Sequence, residues 1–69
     1  VSQMQNIGYK ELMTLVMSLP PGFRTVFNMY AIEGYSHKEI AEILGITETT
    51  SRTQFSRARI WLQNKMEKI

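Results

Sequence analysis

Arg52, Thr53, Ser56 and Arg57 recur at one-turn spacing, with Thr49 just ahead of them. On a helix, at about 100° per residue, Thr49, Arg52, Thr53, Ser56 and Gln63 fall on one side and Arg57 lies at its edge. An arginine fork can hold guanine O6 and N7 with two hydrogen bonds, and small hydroxyl residues let the helix backbone sit deep in a groove. A merely solvated helix face more often carries Glu and Lys at four-residue spacing. The plain alternative is such a solvated face; the chemistry on offer is the reading of base edges in a DNA duplex.

Other chemistries are excluded by residue type. The chain has no cysteine and no aspartate, and His37 is its single histidine. No disulfide, thiolate metal site or cysteine nucleophile is possible, and neither a Ser-His-Asp triad nor a multi-histidine metal site can be built. Glu39 and Glu42 stand three apart and could pose as an acid pair, but Glu39 is better used as a helix cap. The glycines, Gly8, Gly22, Gly34 and Gly45, are isolated and form no phosphate-cradling loop. No catalytic residue, metal or cofactor is expected, and the chain does not read as an enzyme.

The net charge of +2 is unevenly divided. Residues 1–48 carry Lys10, Arg24 and Lys38 against Glu11, Glu33, Glu39, Glu42 and Glu48. Residues 49–69 carry Arg52, Arg57, Arg59, Lys65 and Lys68 against Glu67 alone. An acidic front with a basic tail points to a polyanion meeting the tail. There is no apolar run near the ~20 residues of a membrane span, and no secretory signal pattern. A cytoplasmic protein without membrane contact is expected. The chain starts at Val1 without an initiator Met and reads as a fragment of a longer protein.

The 69 residues allow one small domain, which needs well-packed helices or a partner to be stable. Apolar residues recur at three- and four-residue steps, so the fold class is all-α, with helices at about 7–18, 21–33, 37–44 and 48–67. Tyr9, Leu12, Leu15, Val16 and Leu19 share one side of the first helix. Pro20-Pro21-Gly22 breaks the chain and starts the second, whose inward stripe is Phe23, Val26, Phe27 and Tyr30. Gly34 ends it. Ser36-His37-Lys38-Glu39 has capping-box spacing, after which Ile40, Ala41 and Leu44 point inward and Gly45 stops the third helix. Thr47 caps the fourth helix, with Glu48 suiting the positive end of its dipole. Ser51, Phe55, Ala58, Leu62 and Ile69 form its core stripe. Two helices joined by a turn of about three residues match the helix-turn-helix, whose second helix enters the major groove.

Leu19-Pro20-Pro21-Gly22-Phe23-Arg24, Glu33-Gly34-Tyr35-Ser36-His37-Lys38-Glu39-Ile40-Ala41-Glu42-Ile43-Leu44-Gly45-Ile46-Thr47 and Ser56-Arg57-Ala58-Arg59 together resemble region four of bacterial RNA polymerase sigma factors. The extracytoplasmic-function branch is the nearest, and the resemblance covers about Leu12 to Leu62. It implies sequence-specific binding of the upstream promoter element in transcription initiation, and docking on the β-subunit flap of the polymerase core. The base-reading positions of that family match Thr49, Arg52, Thr53, Ser56 and Arg57. Its phosphate-contacting positions match Ser36, Lys38, Thr50 and Arg59, and His37 lies beside them. The chain departs from the family at three positions. Ser51 stands where an aliphatic residue is usual, Gln54 where a basic one is common, and Thr49 where Gly is frequent. The Ser51 hydroxyl is expected to bond a carbonyl one turn back.

Met13, Met17, Met29 and Ile32 sit beside the core stripes and are read as a protein-partner face for the flap or an anti-sigma factor, or else as gap-fillers of a small core. Trp61 is expected to pack on the first or second helix, and Ile60 to lie on the surface. Two further readings stand beside the sigma domain, expected to be a monomer: a helix-turn-helix regulator of response-regulator type, which would dimerise, and a helical protein-interaction module.

Overall fold

A computed structural model describes residues 8–67. Its helices are α1 (Tyr9–Met17), α2 (Pro21–Phe27, continuing as a π-helical segment Asn28–Ile32), α3 (His37–Leu44) and α4 (Glu48–Glu67). The described residues contain no strand, and no helix among them is long and apolar enough to cross a membrane. The fold is all-α, as the periodicity requires. The expected start near Ile7 and the core role of Ile69 lie outside the described residues.

The boundaries follow from local chemistry. Pro21 opens α2 at a position where its missing amide is not needed. Arg24 reaches back and donates from Nη1 to the Met17 carbonyl at 2.7 Å, which satisfies one of the carbonyls left free at the end of α1. At α3 the capping box is complete. The Glu39 amide donates to the Ser36 hydroxyl at 3.1 Å, and the Ser36 amide donates to the Glu39 carboxylate at 2.8 Å. That donation holds the Glu39 carboxyl below its ordinary value. Gly45 closes α3 in the left-handed conformation, φ 71°, and its amide donates to the Ala41 carbonyl. Thr47 then caps α4, accepting the Thr50 amide at 3.0 Å and donating its hydroxyl to Thr50 Oγ1 at 2.8 Å.

The long α4 is the spine against which the other helices pack. Val16 and Leu19 from the α1 side meet Ala58 and Leu62 of α4 in a buried cluster. Leu12, Leu15, Phe23, Phe27 and Trp61 pack around it, so Trp61 joins the α1–α2 side as its stripe-edge position implies. Val26 and Ile40 are fully enclosed, and Met66 extends the buried stripe of α4 by one further turn.

Three inward assignments need correction. Tyr9 is 75% exposed, because it is the first residue of α1 and projects beyond the end of the packed surface. Leu44, in the last turn of α3, is 38% exposed. Tyr30 is 40% exposed and lies within the π segment. There the Glu33 amide reaches the Asn28 carbonyl, an i to i−5 bond that widens the turn by one residue, and the Tyr30 ring packs at the domain edge, one part on His37 and Phe55 and the rest open to solvent. Gly34, with φ 84°, ends the segment.

Ile40 is the only apolar side chain that α3 buries completely. Ile40→Ala should therefore cost about 2–5 kcal/mol. A domain of this size has only a few to ~10 kcal/mol in total, so urea titration should show the midpoint collapse. A loss below about 0.5 kcal/mol would mean that α3 is held by something other than its core contact.

Candidate nucleic-acid interface

The two faces of α4 separate cleanly. Ser51, Ala58, Leu62 and Met66 are buried on one side, whereas Thr49, Arg52, Thr53, Ser56 and Arg57 are all exposed on the other. Ile60 is also exposed on that outer side. The helix is anchored along its length by the core while its outer surface stays open.

Two shallow grooves flank this face. One runs between α3 and the first turns of α4, where Ser36, His37, Lys38, Glu48 and Arg52 meet the ring of Tyr30. The other lies toward α2, lined by Phe23, Thr49, Thr50, Thr53, Gln54 and Arg57. The residues assigned to phosphate thus divide: Ser36, His37 and Lys38 on one flank, half-buried Thr50 on the other. Arg59 joins neither group. Its guanidinium carbon sits 6.0 Å from the centre of the Phe55 ring, and its side chain borders a cavity of about 150 Å³ with Leu12, Leu15, Phe27 and Met66. It lies one turn along from Phe55, at the border of the core stripe, and packs on apolar surface.

His37 is committed inward as well. Its Nδ1 lies 2.8 Å from Ser51 Oγ, and its ring stacks on Tyr30 at 4.1 Å and 8°. Phe55 closes the cluster, 4.6 Å from Tyr30 and 5.7 Å from Phe27. This corrects the expected partner of Ser51: the fully buried hydroxyl pairs with an imidazole on α3, not with a carbonyl of its own helix. The bond works in either neutral tautomer, since the hydroxyl can donate to a bare Nδ1 or accept from a protonated one. Burial, with the nearby Arg52 charge adding to it and Glu48 opposing it, lowers the His37 pKa below its ordinary value near 6.5.

The exposed arginine has a partner that residue-by-residue reading passed over. Arg52 Nη2 donates to Glu48 Oε2 at 2.6 Å across one turn. The four-residue spacing of Glu48 and Arg52 is the sequence signal for this pair, beside the helix-dipole role of Glu48. On the proposed partner face, Met17 and Ile32 are exposed, while Met13 and Met29 are half-buried.

The sequence profile of the family described as "Sigma-70, region 4" matches residues 9–62. No curated protein and no solved structure gives a match.

The His37–Ser51 pair makes two predictions. Ser51 is sealed from water and His37 is not, so removing the ring strands a hydroxyl whereas removing the hydroxyl leaves a nitrogen that water can reach. His37→Ala should cost about 1–3 kcal/mol and Ser51→Ala clearly less; equal losses in denaturant titrations would deny the asymmetry. The depressed His37 pKa also means that the unfolded chain binds this proton more readily. Its contribution to stability is full above about pH 6.5 and is lost as pH falls through the lower folded value. His37→Gln should flatten the slope of stability against pH in that window; an unchanged slope would assign it to other groups.

Proposed function

The chain belongs to the sigma-70 region 4 family, which binds the −35 promoter element as part of a sigma factor, and we propose that it does so by laying the open face of α4 in the major groove. It is a non-enzymatic DNA-binding domain of transcription initiation, and its family works with promoter DNA and the RNA polymerase core. The observation that carries the binding mode is the two-sidedness of α4: Thr49, Arg52, Thr53, Ser56 and Arg57 are exposed while the opposite stripe is sealed.

In this reading Arg52 grips a guanine edge, and Thr49, Thr53, Ser56 and Arg57 complete the base contacts. The two flanking grooves match the two phosphate strands that border a major groove. Ser36 and Lys38 serve one strand and Thr50 the other, with Arg57 close enough to share in the second. His37 supports this edge from behind through Ser51. Arg59 reaches phosphate only if it leaves Phe55.

The Leu-Pro-x-x-x-Arg run at Leu19 to Arg24 and the Arg-Ala-Arg at Arg57 to Arg59 favour a sigma factor over a response-regulator helix-turn-helix, and within the sigma factors we place the chain in the extracytoplasmic-function branch. Met13, Met17, Met29 and Ile32 form the face offered to the β-subunit flap or to an anti-sigma factor, with Met17 and Ile32 the accessible contacts. We assign the 69 residues to one monomeric, cytoplasmic domain acting within a longer sigma factor.

The test begins by selecting a preferred duplex from a random pool. Arg52→Ala should lose about 1–3 kcal/mol on that duplex and little on a scrambled one. Equal losses on both would refute base reading. If Lys38 and Arg57 each neutralise one phosphate, log K should fall against log salt with a slope of about −1.8, and more steeply only if Arg59 joins them. A slope near zero would remove the electrostatic part.

A further inference from the structure

Glu48 poses a problem on a surface meant for DNA. It is a carboxylate in the first turn of the groove-facing helix, and its side chain keeps 44% of its exposure. A negative charge there repels phosphate. Its place at the positive end of the α4 dipole gives a modest gain in stability, and an exposed ion pair across one helical turn adds little more.

The geometry of the pair offers a use. Glu48 Oε2 accepts one hydrogen bond from Arg52 Nη2, and the guanidinium has five N–H donors in a plane. The bond therefore restrains the end of the arginine side chain and leaves donors for a base. The arginine side chain remains 58% exposed, so the held guanidinium is still reachable from outside. Without the carboxylate, a long flexible arginine would sample phosphates on either flank as readily as a base edge. With it, two penalties fall on the wrong mode of binding. Arg52 must abandon Glu48 to reach a phosphate, and the released carboxylate then faces the DNA backbone. Base reading keeps the pair intact.

We infer that Glu48 is a positioning and specificity residue for DNA reading, holding Arg52 toward a base edge and disfavouring its use on phosphates. This rests on the base-reading role of Arg52. Glu48 itself touches no base in this scheme.

The experiment measures binding of the full 69-residue chain to the selected duplex and to a scrambled duplex by fluorescence anisotropy. Four proteins are compared: wild type, Glu48→Gln, Arg52→Ala and the double variant. Glu48→Gln should bind the scrambled duplex more tightly than wild type. Its preference for the selected duplex should fall roughly two- to twelvefold, the range expected when one long side chain loses its ordering. In the Arg52→Ala background the same substitution should leave the preference unchanged, because nothing remains for Glu48 to hold. A preference that survives Glu48→Gln intact would overturn the inference. An equal drop in the Arg52→Ala background would overturn it too, by making Glu48 a direct base contact. If Arg52→Ala itself leaves the preference untouched, the base-reading role fails, and this inference with it. If only Glu48→Gln does so, base reading stands and this inference alone falls. Thermal unfolding of Glu48→Gln should stay cooperative and only slightly below wild type, the small drop reflecting the lost dipole and ion-pair contributions, which separates the effect on binding from damage to the fold.

Discussion

Ser51 sits on the buried stripe of the recognition helix, entirely closed to water, and its hydroxyl meets Nδ1 of His37 on the preceding helix. A hydroxyl enclosed without a partner costs a few kcal/mol, a large part of what a domain this small has to hold itself together. The pairing converts that liability into a fixed register between α3 and α4. A purely apolar contact would let the two helices slide by fractions of a turn at little cost; a hydrogen bond of 2.8 Å does not. The His37 ring is fixed in turn by stacking on Tyr30, which the π segment of α2 turns toward it. Three helices thus converge on one polar contact, directly behind the open face of α4.

What that contact secures is the division of α4 into two chemically opposed sides. Anchoring comes from Ala58, Leu62 and Met66 below, while the polar side chains of Arg52, Thr53, Ser56 and Arg57 stay exposed above, where the proposed reading places recognition. Because α4 is continuous from Glu48 to Glu67, a displacement at its buried end would swing its exposed beginning. A rigid helix therefore carries the precision of the core out to the arginine fork. Placing the readers on a regular element and the phosphate candidates on its flanks separates discrimination from attraction, which DNA recognition generally keeps apart.

Charge is handled with the same economy. The acidic first part of the chain would oppose DNA if it faced it, but Glu39 is occupied by the Ser36 cap and Glu48 by Arg52. Two further cations have contacts within the bundle: Arg24 donates to the Met17 carbonyl and the Arg59 guanidinium lies 6.0 Å from the Phe55 ring centre. Of the cations, Lys38, Arg52 and Arg57 line the flanking grooves. The net charge of the whole chain is therefore a poor guide to the field at the binding face, and the helix-by-helix arrangement is the relevant quantity.

Local chemistry was legible from the residues themselves. The capping box at Ser36 and Glu39, the proline start at Pro21, the left-handed glycines Gly34 and Gly45 and the outer face of α4 each depend on neighbours within a turn. One-dimensional spacing contains that information. Contacts between elements were not legible. His37 and Ser51 are 14 residues apart, and nothing in either one's vicinity announces the other. Tyr30 stands in the π segment Asn28–Ile32, where the regular period breaks, and a fixed 100° step cannot foresee that. Arg59 and Lys38 look alike as positive charges on helices, yet only the packed bundle decides that one lies on Phe55 and the other borders the groove. Sequence alone determined which residues form helices and which side of the last one is polar, because those follow from short-range hydrogen bonding and periodicity. The tertiary structure decided which polar groups remain available outside, because that depends on which distant side chains reach them first.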